Sequence, residues 1–170
     1  NIVQTGTIQN LNSLSFIDNM NGWVTGDQAT MLHTNDGGFT WITQYVGYYN
    51  PYSSNNLYSV YFSDEMNGWA VGVDAATIHT VNGGNNWNLE YFKKGGSVFK
   101  GVCFIDKSIG WIVGLDAKIK RTNDTGNTWN LQYSTAQDAG LNRIIFRDAN
   151  NGWAIGNGGN VLHTTNGGSN

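Results

Sequence analysis

The sequence is short of cysteine, proline and charge. One cysteine, Cys103, in 170 residues excludes an internal disulfide, and no CxxC or Cys/His spacing points to a structural zinc. Charged residues make up 12% of the chain, against about a quarter in ordinary soluble domains. With nine Lys+Arg against twelve Asp+Glu, it lacks the basic excess of a nucleic-acid binder. No apolar run approaches the roughly 18 residues that span a bilayer, so membrane insertion is not expected. Apolar faces at helical spacing are missing too, because Gly and Asn interrupt the chain every few residues. Low charge with 13% aromatic residues excludes a disordered chain. No targeting segment precedes Asn1, which marks either a processed mature chain or a segment of a longer one. A single all-β, turn-rich domain is left.

What the chain does have is a fourfold repeat. NSLSFIDNMNGWVTG, YSVYFSDEMNGWAVG, KGVCFIDKSIGWIVG and NRIIFRDANNGWAIG align on Trp23, Trp69, Trp111 and Trp153, at spacings of 46, 42 and 42 residues. Seven residues after the glycines at 26, 72, 114 and 156 stand His33, His79, Arg121 and His163. TNDGGFTW, TVNGGNNW, TNDTGNTW and TTNGGSN follow, and every tryptophan occupies one of these two repeat positions. Each unit reads as four short strands: an alternating strand before a turn Asp (Asp18, Asp64, Asp106, Asp148), the Gly-Trp run, an apolar strand ending at His or Arg, and a strand beginning at the box tryptophan. Four strands in 40–45 residues is the period of a β-propeller blade, and such blades bury their faces by stacking. Repeats over about 11–56, 57–98, 99–140 and 141–170 plus 1–10 therefore form one domain over 1–170. Asn1-Ile2-Val3-Gln4 aligns with Trp41-Ile42-Thr43-Gln44, so residues 1–7 are expected to supply the fourth strand of the last blade. The ring then either closes with four blades or is part of a longer propeller.

The box T-x-[DN]-x-G-x-[TN]-W resembles the Asp box, or bacterial neuraminidase repeat. Together with F-x-D, G-W-x-x-G and L-H-T, it is most similar to the repeats of photosystem II assembly-factor-type propellers, which also occur in secreted bacterial proteins. The resemblance covers essentially the whole chain. In the box, Asp36 and Asp124 can accept backbone N–H groups of their own turns, and Asn82 and Asn166 can do so without charge. Gly38, Gly84, Gly126 and Gly168 supply positive φ. Trp41, Trp87 and Trp129 pack against the hairpin. These are structural roles, and in related enzymes the box lies away from the catalytic centre.

Catalytic chemistry finds little support. Sialidase chemistry needs an arginine cluster with a Tyr/Glu pair and an acid Asp. The chain has three arginines, Arg121, Arg143 and Arg147, with Arg121 at a repeat position. The histidines recur in successive blades, rotated about the ring axis and too far apart for roughly 2 Å ligation, which favours hydrogen bonds to their own hairpins. Most acids are locked into repeat turns, leaving Glu65, Glu90 and Asp138 outside the pattern, which does not make a glycosidase pair. Cys103 aligns with Ser15, Tyr61 and Ile145 and reads as a buried thiol. No catalytic residue, metal or cofactor is expected.

Function should lie where the copies differ. The longer first spacing inserts Tyr48, Tyr49 and Tyr52 beside Pro51, and tyrosine suits recognition of a protein or a sugar. Arg143 and Arg147 flank one strand as further binding candidates. Residues 1–92 carry a net −7 and residues 93–170 a net +4, which suits an oppositely patterned partner or one end of a like molecule. The family resemblance implies a client protein docked through an arginine-rich patch. The expected protein is a secreted, extracellular or periplasmic, non-enzymatic scaffold that binds a protein partner or itself. A lectin-like carbohydrate-binding module, or a remnant of a sialidase-like glycoside hydrolase, is the alternative, with a glycan as ligand.

Overall fold

The computed structural model describes residues 2–47, 54–91, 93, 96–134 and 140–169. Each repeat is an antiparallel meander whose strands lie in chain order. Blade 1 holds β1 (Leu11–Phe16), β2 (Gly22–Gly26), β3 (Met31–Thr34) and β4 (Ile42–Thr43). Blade 2 holds β5 (Leu57–Phe62), β6 (Gly68–Gly72), β7 (Thr77–Thr80) and β8 (Asn88–Tyr91). Blade 3 holds β9 (Phe99–Phe104), β10 (Gly110–Gly114), β11 (Lys118–Thr122) and β12 (Asn130–Ser134). Blade 4 holds β13 (Leu141–Phe146), β14 (Gly152–Gly156) and β15 (Val161–Thr164). Two single 3-10 turns, Val73–Ala75 and Asn157–Gly159, link the second and third strands of blades 2 and 4. The architecture is a β-propeller of four blades.

The first strand of each blade is innermost, and these strands pack in series, β1 on β5, β5 on β9 and β9 on β13. An innermost strand is a sheet edge whose N–H groups need acceptors. Hydroxyls of the preceding blade supply them: the N–H groups of Val60 and Phe62 donate to Ser13 Oγ and Ser15 Oγ at 3.4 and 3.2 Å, and that of Val102 to Ser59 Oγ at 3.3 Å. Three apolar clusters fill the spaces between consecutive blades, so the core is a row of interfaces.

The last blade differs from the expected one. Among the described residues it has three strands, and residues 2–10 form none. The expected completion of this blade by residues 1–7 is therefore not what the structure shows. The cause is the serial packing. β13 and β1 do not pack on one another as the other inner strands do, so the segment entering β1 does not start beside β15, although its Asn10 carbonyl accepts the Asp27 N–H as at the entry of the other blades. Blades 1 and 4 meet through the Arg143 guanidinium on the Asn12 carbonyl, at 3.4 Å, while Leu14 and Ile145 stay exposed. Ile2 and Ile8 consequently pack on nothing, at 91% and 99% exposure.

Candidate functional site

The repeat motifs assemble into one inter-blade device. The tryptophan of the second strand stacks on the phenylalanine ending the next blade's inner strand: Trp23 on Phe62, Trp69 on Phe104 and Trp111 on Phe146, with ring centroids 3.6, 3.7 and 3.6 Å apart. On its other face the same indole carries the residue opposite it on the third strand, His33 at 4.6 Å, His79 at 4.8 Å or the Arg121 guanidinium at 5.4 Å. The box tryptophan closes the stack edge-on, Trp87 against Phe62 and Trp129 against Phe104. Each indole N–H donates to a carbonyl in the next blade's box, Trp23 to Gly83 at 3.3 Å, Trp69 to Thr125 at 2.9 Å and Trp111 to Gly167 at 3.4 Å. Buried indoles need such an acceptor.

The box turns have the geometry their residues imply. Asp36 Oδ1 accepts from Thr34 Oγ1 and the Thr40 N–H at 2.7 and 2.9 Å, and Asp36 Oδ2 accepts from Thr40 Oγ1 at 2.6 Å. The Thr40 hydroxyl and N–H, with Thr34, pull the Asp36 carboxyl down to about 2. Asp124 repeats the arrangement with Thr122 and Thr128. Asn82 accepts from the Asn86 N–H and Asn166 from the Ser169 N–H. Gly38, Gly84, Gly126 and Gly168 all have φ between 84° and 92°, where a Cβ would be strained. Trp41 adds an indole hydrogen bond to the Gly38 carbonyl at 3.2 Å. In the other repeat turn, Asp18, Asp64, Asp106 and Asp148 each accept two backbone N–H groups.

These contacts engage the aspartates of both repeat turns. The histidines stack on tryptophan, and burial lowers the pKa of His33 and His79. Glu90 lies 3.9 Å from His79 Nδ1. Burial pushes the Cys103 thiol up to about 12, which leaves no thiolate at neutral pH. Among the described residues, no three His, Cys, Asp or Glu side chains gather as a metal site. No helix there is long and apolar enough to cross a membrane.

The binding candidates separate. Tyr48, Tyr49 and Tyr52 lie outside the described residues. Arg143 lies on β13, where its guanidinium donates to the carbonyls of Lys100 on β9 and Asn12 on β1, each at 3.4 Å. It thus ties inner strands of blades 3, 4 and 1. Arg147 sits one residue beyond β13, and its backbone N–H donates to the Asn151 carbonyl at 2.9 Å.

The lysines were missed by residue-level reading. Lys100 places its ammonium 3.7 Å from the Tyr58 ring centroid. Lys118 pairs with Asp116 at 3.3 Å, and Asp116 also accepts from Ser97. Lys120 lies over the Phe99 ring at 5.4 Å, and desolvation, with Lys118 as a further positive neighbour, lowers its pKa. The only sequence signal for this basic region on blade 3 is the charge difference between the two halves.

Repeated box turns and stacked four-stranded blades define a BNR-type β-propeller. The profile of the family described as photosynthesis system II assembly factor YCF48 matches residues 1–94 and again 93–170. The chain belongs to that family. Among solved structures, it is similar to a YCF48 bound to D1 peptide, at 22% identity and TM-score 0.67, covering 95% of this chain and 66% of that one. It is also similar to YCF48 from Cyanidioschyzon merolae, at 17% identity and TM-score 0.67, covering 95% and 68%. An ancestral GH74 enzyme shares the fold at 14% identity and TM-score 0.71, covering 95% of this chain and 23% of that one. The chain thus spans about two thirds of the length of the YCF48 structures. No curated protein sequence matches.

Proposed function

We propose that this propeller is a non-enzymatic, extracytoplasmic scaffold that holds a protein client during assembly. The observation that carries the reading is membership of the assembly-factor family along the whole chain. A structure from that family is described as bound to D1 peptide, so an extended segment of a client protein is the ligand proposed here. The contact surface proposed for it is the inner-strand side of blades 2 to 4, where the Lys100 ammonium lies over Tyr58 and the Arg143 guanidinium donates to the Lys100 carbonyl. Engagement of the repeat-turn aspartates in hydrogen bonds, of the histidines in stacks and of Cys103 in the core supports a binding role over a catalytic one.

The test is a fluorescence-anisotropy titration of a labelled D1 peptide. Saturable binding, weakened about tenfold by Lys100→Ala and by added salt, supports the reading, since rim charges act through screened electrostatics. Absence of saturable binding, or equal binding by Lys100→Ala, overturns it. The tyrosine loop that motivates a carbohydrate ligand lies outside the described residues, and no observation here favours that ligand.

A further inference from the structure

Six asparagines of the chain precede a glycine: Asn21, Asn67, Asn82, Asn151, Asn157 and Asn166. In such a pair the glycine nitrogen can approach the asparagine side chain, because no Cβ on the following residue shields it. The fold disarms five of the six. The carboxamides of Asn21, Asn67 and Asn151 donate to Asp18, Asp64 and Asp148 at 2.9–3.0 Å, and the glycine after each is a buried strand residue. After Asn82 and Asn166 the glycine nitrogen is itself engaged. Gly83 N–H donates to the Met66 carbonyl at 3.0 Å and Gly167 N–H to the Asn150 carbonyl at 2.8 Å. Among the described residues, Asn157 has neither constraint. It lies with Gly158 in the exposed turn between β14 and β15, where a Cβ on Gly158 would meet nothing closer than Asn160 Nδ2 at 3.8 Å. The Asn160 N–H closes this turn on the Asn157 carbonyl at 3.4 Å, against 3.0 and 2.9 Å at the same place in blades 1 and 2. The exposure belongs to the turn and does not depend on the place of blade 4 in the chain. Leu115 holds the position of Asn157 in blade 3, between two other blades, and is 43% exposed.

We propose that Asn157 is a deamidation site, at which the folded chain converts its own asparagine into aspartate and isoaspartate. The Gly158 nitrogen bonds to Asn157 Cγ, the carboxamide C–N bond breaks, and the Gly158 proton leaves on the departing nitrogen as ammonia. Water then opens the five-membered imide at one of its two carbonyls, giving aspartate or isoaspartate. Asn142 is placed to assist, because its Nδ2 donates to Asn157 Oδ1 at 3.0 Å. That oxygen is where negative charge develops during the attack. The aspartate product also fits the turn. Blade 1 carries Asp27 at the position of Asn157, and there Asn12, the counterpart of Asn142, donates to the Asp27 carboxylate at 3.0 Å. Conversion to aspartate therefore keeps the side-chain contact of blade 4 and adds a negative charge to the basic half of the chain.

Peptide mapping by mass spectrometry during storage at mildly alkaline pH tests this. It reads, at each Asn-Gly pair, the mass gained when an NH2 group is exchanged for OH. In the folded chain Asn157 should convert at least about tenfold faster than any other pair, a barrier difference of about 1.4 kcal/mol. In urea, where the constraints of the fold are gone, the rates should converge. Gly158→Gln supplies a second arm. Gln28 and Asp74 hold this position in blades 1 and 2 at φ 55° and 54°, so the turn accepts a side chain there, and unchanged circular dichroism checks that the variant folds. The added Cβ shields the nitrogen, and conversion at Asn157 should slow at least about tenfold. Conversion of the other pairs in the folded chain as fast as Asn157 overturns the proposal. So does an Asn157 that stays intact while the unfolded chain converts, or a Gly158→Gln variant that deamidates at the parent rate.

Discussion

The indole N–H of Trp69 on blade 2 donates to the carbonyl of Thr125 on blade 3, 2.9 Å away, while its ring lies flat on Phe104. One side chain thus couples two blades by packing and by a directed hydrogen bond. Trp69→Ala removes both and leaves a cavity in a core without solvent access. The expected loss is about 3–5 kcal/mol of unfolding free energy. Trp153→Ala, at the equivalent place on a free face, should cost less than about 1.5 kcal/mol in dilute protein, because the ring is 38% exposed and has no phenylalanine above it. Urea denaturation of the two variants side by side checks the difference. Equal losses would mean that the stack does not carry the blade interface.

The box carboxylates make stability depend on pH at the acid end. In the folded chain Asp36 is held at about 2 by Thr40 and Thr34, against an ordinary value of 3.8. The folded pKa lies below the unfolded one, so the contribution is full above 3.8 and is lost as pH falls towards about 2. Asp124 shifts in the same direction through Thr128 and Thr122. Asp36→Asn should keep the Tm at neutral pH close to that of the parent, because Asn82 already accepts the Asn86 N–H in the same turn at 2.9 Å. Between pH 4 and 2 its Tm should fall less steeply. Scanning calorimetry at several pH values reads both effects, and parallel pH curves would show that Asp36 does not titrate with folding.

Cys103 offers a reporter of blade separation. It lies on β9 within the cluster between blades 3 and 4, and burial pushes its thiol up to about 12. Reaction with a thiol reagent needs both access and thiolate. The native chain should label orders of magnitude more slowly than the urea-unfolded chain, and the rate in water should follow the opening equilibrium of this interface. Rapid labelling under native conditions would place the thiol outside the core.

The repeat made the blades legible before any coordinates. Seven tryptophans at two recurring positions, with the boxes between them, identify the strands, the turns and the roles of Asp36, Asn82, Asp124 and Asn166. The partner of each second-strand tryptophan was not legible. Trp23 meets Phe62, 39 residues on, and a single sequence gives no signal of which blade face each alternating side chain enters. The stacking of the histidines was not legible for the same reason: their partner lies across the β2–β3 and β6–β7 ladders. The N-terminal segment misled through true sequence similarity, since Ile2-Val3-Gln4 does resemble a fourth strand, yet the serial packing keeps it away from β15. Lys93, Lys118 and Lys120 are scattered in sequence and come close enough to influence one another only through the meander of blades 2 and 3.

The glycines of the Gly-Trp-x-x-Gly run test whether the motif exists for packing or for turn conformation. Neither Gly68 nor Gly72 has the positive φ that demands glycine, so each must be glycine for want of space. A methyl group on Gly68 would enter the ring of Phe62, and one on Gly72 would meet the backbone carbonyl of Asn56. The two obstacles differ in their freedom to yield. Phe62 is itself clamped between Trp23 and Trp87, so a displaced ring disturbs the blade 1–2 stack. The Asn56 carbonyl is fixed by accepting the Val73 N–H at 3.1 Å. Both Gly68→Ala and Gly72→Ala should therefore destabilise by about 1–3 kcal/mol, as overpacked cores do. Only Gly68→Ala should also perturb the near-ultraviolet circular dichroism of the stacked aromatics. If Gly68→Ala is neutral in urea denaturation, the close approach of Phe62 over the strand is not what requires glycine before tryptophan.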